Sequence, residues 1–412
     1  MTTDAPAGNP TAGSAPHVVL GVTGGIAAYK SCELLRRFTE SGHDVTVVPT
    51  AAALEFVGAA TWSALSGKPV SSQVWADVHE VPHVRIGKEA DLVVVAPATA
   101  DLMAKAAHGL ADDLLTTTLL TAHCPVVLAP AMHTEMWEHA ATVDNVATLR
   151  RRGVLVIEPA SGRLTGADTG KGRLPDPAEI YAYAMRVLAR GGADADLAGR
   201  HVVVTAGGTR EPIDPVRFLG NRSSGKQGYA FARTAAARGA RVTLIAANVT
   251  MPDPAGVDVV RVGTTEDLRK ATVEAAAGAD AVVMAAAPAD FRPAEFAPQK
   301  IKKKDGAPPP PIALVTNPDI AAELGERKPA GQVLVAFAAE TGDALANARA
   351  KLVRKKADLI VVNEVGVDKV FGLDANTATV LGADGSVTEF PEQSKEDLAD
   401  AVWDLVVRCL GH

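Results

Sequence analysis

The chain has 412 residues, of which 47% are hydrophobic and 22% are charged, as in an ordinary globular protein. Its 48 acidic and 41 basic residues give a formal net charge of −7, which argues against the basic surface of a nucleic-acid-binding protein. No apolar run reaches the roughly 18 residues of a membrane helix, so we expect no membrane partner. At about 150 residues per domain, the length predicts two domains.

Cysteine usage and the N-terminus indicate a reducing compartment. Cys32, Cys124 and Cys409 are an odd number of cysteines and form no CxxC pair. We therefore expect no disulfide framework, no structural zinc site and a cytoplasmic location. Residues 1–16 lack the basic and apolar regions of a signal peptide, and we interpret them as a disordered tail.

In the first half, apolar strand-like runs alternate with helix-length segments. The predicted strands are Val18–Val22, Val45–Val48, Leu92–Ala96, Val126–Ala129 and Val154–Ile157. The predicted helices are Ile26–Ser41, Thr99–His108, Ala111–Thr121 and Thr134–Arg152. Continuous Val/Leu strands between helices are typical of a parallel sheet that is covered on both faces.

The same pattern restarts after a small, polar stretch at residues 190–199, which we interpret as a linker. The predicted strands are Val202–Thr205, Val242–Ala246, Ala281–Ala285, Val333–Ala336 and Leu359–Val362, followed by a hairpin at Thr379–Leu381 and Val387–Phe390. The predicted helices are Gly225–Arg238, Glu266–Ala277, Ala344–Lys356 and Lys395–Cys409. We therefore predict two doubly wound, Rossmann-like α/β domains, at residues 17–189 and 200–412, and a functional or disordered loop at residues 291–316.

Small and polar residues follow the predicted strands of the first half. A glycine-rich turn, GVTGGIAAYK, ends the first strand, and its backbone N–H groups suit an anion, although a simple tight turn has the same pattern. Thr50, Thr99 and the segment Pro130–Trp137 follow the second, third and fourth strands. The carboxyl ends of such strands converge on the crevice where open α/β sheets bind ligands. His83 precedes a strand, where a lone histidine is more often structural than catalytic.

Together, GVTGGIAAYK, PHVRIGKEADLVVVAPATADLMAKAAHGLADDLL and APAMHTEMW resemble the flavin-dependent cysteine decarboxylases. Specifically, residues 18–188 resemble the decarboxylase half of the bifunctional phosphopantothenoylcysteine decarboxylase/phosphopantothenate–cysteine ligases of coenzyme A synthesis. The resemblance implies FMN, which would oxidise the substrate thiol to a thioaldehyde, an electron sink for decarboxylation, and then return the hydride. It implies His83 as the catalytic histidine. The implied FMN contacts are Gly24, Gly25, Ile26, Thr50, Thr99, Ala131 and Met132.

Two positions depart from the family pattern. His133 stands where the family has an asparagine that holds the substrate carboxylate, and its imidazole could still donate a hydrogen bond. Gly166 stands where the family's substrate flap carries a proton-donating cysteine, and none of the three cysteines lies in this flap. Either another group or a water supplies that proton, or the step is impaired. Arg173, in the same flap, is a candidate substrate-binding residue.

Polar motifs also follow the strands of the second half. Two glycines end its first strand, and NRSSGKQG opens a helix, which suits phosphates without forming a Walker A motif. A dinucleotide site remains an alternative. Asp290 ends a strand and could contact a metal ion or a ribose. Lysines 300 and 302–304 cluster in the long loop, and Lys351 and Lys355 share one helix face.

AGGTREPIDPVRFLGNRSSGKQG, AAPADFRP, KIKKK, TNPDI and VAFAAET resemble the ligase half of the same family over residues 199–410. This implies that the carboxylate of 4'-phosphopantothenate attacks the α-phosphate of CTP, releasing pyrophosphate, and that the amine of cysteine then displaces CMP from the acyl-cytidylate. A catalytic Lys300 would neutralise the charge that builds up at phosphorus. The acyl-cytidylate would be held by Arg217, Asn221 and Ala287. Mg2+ would accompany CTP. The remaining implied contacts are Gly207, Gly208, Ser223, Ser224, Gly225, Met284, Ala285, Ala286, Asp290 (also the candidate metal ligand), Pro318, Asp319, Ile320, Ala321, Phe337, Lys351 and Lys355.

The resemblance implies a bifunctional enzyme whose ligase product is its decarboxylase substrate. It also implies a homo-oligomer, a dodecamer built from trimers of the first domain and dimers of the second. One alternative is an active ligase fused to a flavin-binding regulatory module with weak decarboxylase activity, motivated by His133 and Gly166. The others are a non-catalytic flavoprotein that regulates a partner, and a nicotinamide oxidoreductase that would bind NAD(P)H and not use CTP.

Overall fold

The computed structural model describes residues 15–70, 82–163, 169–191, 195–302, 311–340, 344–364 and 375–411. The chain divides into two compact units, residues 1–192 and 193–412. Each unit is built around its own largely parallel sheet. In the part of the chain that is described, no helix has the length and apolar character to cross a membrane. Most of the predicted tail, residues 1–14, lies outside the described residues.

The first unit is built on a five-stranded parallel sheet in the order β2-β1-β3-β4-β5, with helices on its faces. Its strands are β1 (His17–Val22), β2 (Asp44–Pro49), β3 (Leu92–Ala98), β4 (Val126–Pro130), β5 (Leu155–Val156) and the antiparallel pair β6 (Ala160–Arg163) and β7 (Thr169–Arg173). Its helices are α1 (Ser31–Glu40, after a 3-10 turn at Ile26–Lys30), α2 (Ala51–Leu54), α3 (Ala59–Ser66), α4 (Pro82–Glu89), α5 (Ala100–His108), α6 (Leu114–Thr121), α7 (Thr134–Trp137), α8 (Ala140–Arg151) and α9 (Pro177–Ala189).

Burial and capping explain most of these elements. Every residue of β3 is buried, as its continuous apolar run predicts. Thr50 and Thr99 cap α2 and α5 by accepting the first free backbone N–H groups of each helix. The predicted single helix Thr134–Arg152 is wrong, because His139 accepts the N–H of Ala141 and starts α8 as a separate helix.

The second unit is built on an eight-stranded sheet in the order β12-β11-β8-β13-β16-β17-β18-β19. Its strands are β8 (His201–Gly207), β9 (Arg210–Pro212), β10 (Phe218–Gly220), β11 (Arg241–Ala247), β12 (Val257–Val262), β13 (Ala281–Met284), β14 (Phe291–Pro293), β15 (Leu314–Thr316), β16 (Val333–Glu340), β17 (Leu359–Glu364), β18 (Ala375–Gly382) and β19 (Val387–Ser394). Its helices are α10 (Lys226–Ala237), α11 (Thr265–Ala276), α12 (Ile320–Arg327), α13 (Ala344–Arg354) and α14 (Lys395–Cys409).

Two predictions about irregular segments have different outcomes. The predicted hairpin is confirmed: β17, β18 and β19 are antiparallel neighbours, and Asp384 accepts the N–H of Ser386 at 2.9 Å in the turn. The predicted loop at residues 291–316 is more ordered than expected, because β14 and β15 pair antiparallel at its two ends. Residues 303–310 within it lie outside the described residues.

A fully buried arginine joins three segments of the second unit. The Arg238 guanidinium donates to Asp196 at 2.5 and 2.9 Å, to the carbonyl and carboxylate of Asp400 at 2.8 and 3.2 Å, and to Asp404 at 2.8 Å. Asp196 belongs to the stretch predicted as a linker, and the adjacent Leu197 is fully buried. The second half of that stretch is therefore packed on the second unit.

We predict that Arg238→Ala lowers the free energy of unfolding of the second unit by about 3 kcal/mol, because it leaves several carboxylates without their buried counter-charge. The control is Arg327→Ala, since Arg327 is 60% exposed and its partner Glu323 keeps its bonds to Arg269; we expect a change below about 1 kcal/mol. Urea unfolding followed by circular dichroism measures both. Equal shifts in the two variants would contradict the proposed importance of Arg238.

Candidate functional site

The first candidate site lies where the chain order of the first sheet reverses. From β1 the chain passes to β2 on one side, whereas β3 pairs with the other side of β1. Open α/β sheets bind ligands in the crevice outside such a point, at the carboxyl ends of the strands. The structure brings Gly24 and Gly25, after β1, to the same edge as Thr99, after β3.

A buried threonine joins these two loops. Thr23 donates its hydroxyl to the Pro97 carbonyl at 2.7 Å and accepts the Thr99 N–H at 3.1 Å. Gly24 lies so close to Ala52 that a Cβ at this position would overlap it. Sequence reasoning missed Thr23, although the hydroxyl within GVTGG was the available signal. The turn is therefore fixed from two sides before any ligand binds.

The same edge fits a flavin phosphate and an apolar ring. Gly25 has open space around it, and the Thr50 hydroxyl lies at the start of α2. Ile26 is 71% exposed, an unusual position for an isoleucine at the carboxyl edge of a sheet. Free backbone N–H groups with hydroxyls suit a phosphate, and an exposed aliphatic side chain suits a planar ring. These residues therefore fit FMN.

The β6–β7 hairpin packs over the segment that follows β4. The Met132 N–H donates to the Gly172 carbonyl at 2.9 Å, and a Cβ on Gly172 would overlap the Met132 carbonyl. Lys171 of β7 forms an ion pair with Glu158 at 3.0 Å. Thr134 has a buried hydroxyl that no described residue hydrogen-bonds. The hairpin thus packs on the Ala131–His133 segment, where the sequence predicts two FMN contacts, Ala131 and Met132, and a substrate contact, His133.

Positive charge collects near the glycine-rich turn. Burial and the nearby Arg173 guanidinium lower the pKa of Lys30, against smaller opposing effects of Asp176 and Glu33. Arg173 therefore lies close enough to Lys30 for a direct electrostatic interaction. The Arg173 and His133 side chains are exposed, so both can reach an anionic group of a substrate.

Two predicted features of the first site cannot be placed. His83 is the second residue of α4, but its side chain lies outside the described residues. Gly166 also lies outside them.

The second candidate site is a cavity of about 820 Å3 at the switch point of the second sheet, where β8 lies between β11 and β13. Sixteen predicted residues line it: Asn221, Ser223, Ser224, Gly225, Met284, Ala285, Ala286, Ala287, Asp290, Pro318, Asp319, Ile320, Ala321, Phe337, Lys351 and Lys355. Lining residues that were not predicted include Arg222, Lys226, Arg354, Asn376 and Lys395. Six lysines and arginines against two aspartates suit a polyanionic ligand.

Close backbone contacts fix the cavity wall. The Ala287 N–H donates to the Gly207 carbonyl at 2.8 Å, and Asn221 donates its side-chain N–H to the Pro288 carbonyl at 2.9 Å. Gly228, in the first turn of α10, lies against Ala206 so closely that a Cβ would overlap it. The N-terminus of α10 is thereby held against β8, and its first residues line the cavity.

An ion pair sets the position of a predicted CTP-binding lysine. Lys355 Nζ lies 2.6 Å from Asp319 Oδ1, and Arg354 lies 3.8 Å from the same carboxylate. Burial works to raise the pKa of Asp319, but the hydrogen bond and charge of Lys355 outweigh it, so the pKa lies below its usual value. Asp319 also caps α12 by accepting the Ala322 N–H. The helix cap and the cavity lysine therefore share one carboxylate.

Four predicted residues do not line the cavity: Lys300, Arg217, Gly207 and Gly208. Gly207 and Gly208 lie behind the wall, where they contact Ala287. Lys300 is exposed. Within the described ranges, no three His, Cys, Asp or Glu residues are grouped to hold a metal ion, and Asp290 therefore belongs to no such group.

A flavin cradle in one unit and a cationic nucleotide-sized cavity in the other define a flavoprotein fused to a nucleotide-binding enzyme domain. Family models agree: "Flavoprotein" matches residues 7–189, and "DNA/pantothenate metabolism flavoprotein C-terminal domain" matches residues 197–410. The Mycobacterium tuberculosis "Coenzyme A biosynthesis bifunctional protein CoaBC" is 58% identical over 96% of this chain and 97% of its own. The Bacillus subtilis protein of that name is 43% identical over 93% and 94%. The chain therefore belongs to the CoaBC family of bifunctional coenzyme A biosynthesis proteins.

This membership confirms the predicted fold class and function. The chain is an enzyme with a flavoprotein decarboxylase half and a ligase half. A regulatory flavin module is not favoured, because bifunctional relatives match nearly the full length. Among solved structures, the C-terminal domain of a CoaBC protein aligns at 34% identity and a TM-score of 0.46, over 53% of this chain and 98% of that chain. The FMN-dependent cysteine decarboxylase SpaF aligns at 32% and 0.38, over 43% and 98%.

We predict that Gly228→Ala lowers stability by about 1–3 kcal/mol and weakens CTP binding, because the new Cβ pushes α10 away from β8. Gly278→Ala is the control, since a Cβ there meets no atom within 4 Å. Thermal unfolding and calorimetric titration with CTP measure the two effects. Unchanged CTP affinity in Gly228→Ala would show that the cavity tolerates this displacement.

Proposed function

We propose that CTP binds in the cavity of the second unit and that its residues form and hold the acyl-cytidylate. The observation that carries this proposal is the excess of cations in a cavity lined by the predicted residues. The carboxylate of 4'-phosphopantothenate attacks the α-phosphate, a P–O bond forms, and pyrophosphate leaves. The amine of cysteine then attacks the acyl carbon, an amide bond forms, and CMP leaves.

Individual residues are assigned separate roles in this reaction. Lys300 neutralises the charge that develops at the α-phosphate. The Pro288 carbonyl fixes Asn221 by accepting its side-chain N–H. The side-chain oxygen and the backbone of Asn221 then bind the acyl-cytidylate. Arg217 and Ala287 also hold this intermediate. Lys351 and Lys355 pair with phosphate or ribose oxygens, and Phe337 packs against the nucleoside.

We propose Mg2+ as the metal that accompanies CTP, held mainly by the triphosphate oxygens. Mg2+ keeps several waters and is usually bound through one or two carboxylates plus substrate phosphates. Asp290 lines the cavity and is the protein ligand we assign. The described residues hold no group of three or more possible metal ligands, which agrees with binding mainly through the nucleotide.

In the first unit we assign the FMN contacts to Gly24, Gly25, Ile26, Thr50, Thr99, Ala131 and Met132. When bound, FMN supplies reversible two-electron oxidation of the substrate thiol, which makes loss of CO2 possible. His83 transfers a proton, and His133 donates a hydrogen bond to the substrate carboxylate. Arg173, beside Lys30, attracts an anionic group of 4'-phosphopantothenoylcysteine. The group that replaces the family's flap cysteine at Gly166 is a water or a neighbouring side chain.

We further propose a cytoplasmic homo-oligomer, a dodecamer of trimers and dimers, with domains at residues 17–189 and 200–412. Exposed apolar side chains on each unit support self-association, among them Leu110, Leu120 and Val143 in the first unit and Phe218 and Phe296 in the second. The ligase product is the decarboxylase substrate, so one chain would carry out consecutive steps.

The decisive experiment incubates the purified protein with 4'-phosphopantothenate, cysteine, CTP and Mg2+ and identifies the products by mass spectrometry. We expect 4'-phosphopantetheine, which requires both sites. Accumulated 4'-phosphopantothenoylcysteine would mean a working ligase and a failed decarboxylase at His133 and Gly166. No CTP-dependent product would overturn the assignment of the cavity.

We predict that His83→Asn slows decarboxylation of supplied 4'-phosphopantothenoylcysteine by about 10²–10⁴-fold, the usual size of a lost general acid–base. Ligation, measured as pyrophosphate release, should keep its wild-type rate. The control is His43→Asn, whose imidazole hydrogen-bonds Ser41 on the protein surface. An unchanged rate of 4'-phosphopantetheine formation in His83→Asn would refute the catalytic role.

We predict that Lys300→Gln slows pyrophosphate release by about 10²–10³-fold, because charge at the α-phosphate is no longer neutralised. The first unit should stay yellow with bound FMN and should decarboxylate supplied substrate normally. Lys328→Gln is the control, since Lys328 pairs with Asp358 at 2.6 Å and does not line the cavity. Wild-type pyrophosphate release by Lys300→Gln would exclude the lysine from the reaction.

A further inference from the structure

The residue that follows Lys300 is held by a distant turn. Ile301 lies beside the turn between β9 and β10, residues 213–217, although more than 80 positions separate them in the chain. The Ala297 N–H also donates to the Ile213 carbonyl at 3.0 Å. The segment from Ala297 to Ile301, which contains Lys300, is therefore attached to this turn at both of its ends.

Asp214 makes this attachment because its two carboxylate oxygens bind different segments of the chain. Its Oδ1 accepts the N–H groups of Val216 and Arg217, each at 2.8 Å, and so closes its own turn. Its Oδ2 accepts the Ile301 N–H at 3.2 Å. The Asp214 side chain is fully buried. One oxygen is thus committed to the turn and the other to the lysine loop.

Arg217 completes the attachment from the other side of Ile301. Its Nη2 donates to the Ile301 carbonyl at 3.0 Å, while its Nη1 lies 3.6 Å from Asp214 Oδ2. Both backbone polar groups of Ile301 are therefore bound by one aspartate–arginine pair. An isolated surface ion pair would contribute little, but here both charges also bind backbone groups.

We propose that Asp214 is a positioning residue of the ligase, which with Arg217 fixes the backbone beside Lys300. This inference rests on the proposed role of Lys300. Asp214 does not line the cavity, so it acts through the loop and not on the nucleotide. A misplaced lysine would bind CTP nearly normally but would stabilise the developing charge poorly.

The carboxylate stays charged under working conditions. Burial works to raise the pKa of Asp214, but the N–H groups of Val216, Ile301 and Arg217 and the Arg217 charge outweigh it, and the pKa lies below its usual value. The attachment is therefore present at neutral pH and is lost only as the pH falls through that lowered pKa.

Asp214→Asn separates the two functions of the carboxylate. The amide oxygen can still accept the N–H groups of Val216 and Arg217, which keeps the turn closed. Its NH2 group then faces the Ile301 N–H, and because both groups are donors the hydrogen bond to Ile301 is lost. The matched control is Asp384→Asn, because Asp384 accepts an i+2 N–H in the same way but holds no second segment among the described residues.

In the FMN-loaded, full-length protein we expect Asp214→Asn to reduce kcat for pyrophosphate release about tenfold, with a smaller change in the KM for CTP. Hydrogen exchange of the peptide that contains Ile301 should speed up about tenfold or more. Asp384→Asn should match the wild type in both measurements. Decarboxylation of supplied substrate should be normal in every variant, which reports correct folding of the first unit.

Two results would overturn this inference. The first is wild-type kcat and exchange in Asp214→Asn while Lys300→Gln is inactive. The second is an equal loss of kcat in Asp214→Asn and Asp384→Asn, which would mean a general effect of turn aspartates. A fully active Lys300→Gln would instead refute the proposed role of the lysine, so the two failures are distinguishable.

Discussion

Both sites depend on buried threonine hydroxyls that join neighbouring strand ends and loops where the chain order of a sheet reverses. In the first unit Thr23 accepts the Thr99 N–H at 3.1 Å. In the second unit Thr205 accepts the Ala286 N–H at 3.1 Å, and Thr209 accepts the Ala289 N–H at 2.8 Å. At a switch point the loops that follow two neighbouring strands run in opposite directions. The hydrogen bonds between the two parallel strands end with the last paired residues, so they do not hold these loops together. The hydroxyls supply the missing bond.

The same constraint explains why glycines surround both sites. Loops joined so closely leave no volume for side chains, as the contacts of Gly24 with Ala52 and of Gly228 with Ala206 illustrate. Removing the Cβ also lets backbone N–H groups approach a phosphate directly. Selection for anion binding and selection for close packing therefore both favour glycine. For this reason glycine-rich motifs indicate such sites in a sequence.

Local signals in the sequence were enough for the central strands, for most helices and for sixteen of the residues that line the cavity of the second unit. Edge elements were harder: β12 alternates half-exposed and exposed residues, so it lacks the apolar run that indicates a buried strand. Contacts between segments that are distant in the chain could not be predicted from the sequence. Neither Asn376 on β18 nor Lys395 at the start of α14 lies in a glycine-rich motif, and only the packing of the hairpin and α14 brings them to the cavity. The bond between Asp214 and Ile301 likewise depends on tertiary structure alone.

The ligase unit separates binding from reaction in its architecture. The proposed nucleotide contacts lie on strand ends, at the starts of α10 and α12 and at the end of α13, where Lys355 is held by Asp319. Lys300 instead lies on a loop that is attached to the β9–β10 turn through Ala297 and Ile301, on either side of the lysine. A rigid cavity gives affinity for substrate and product alike, whereas rate enhancement requires contacts that are stronger in the transition state. A lysine held from outside the cavity can satisfy that requirement, because the carboxylate that fixes its backbone is not consumed in binding the ground-state nucleotide.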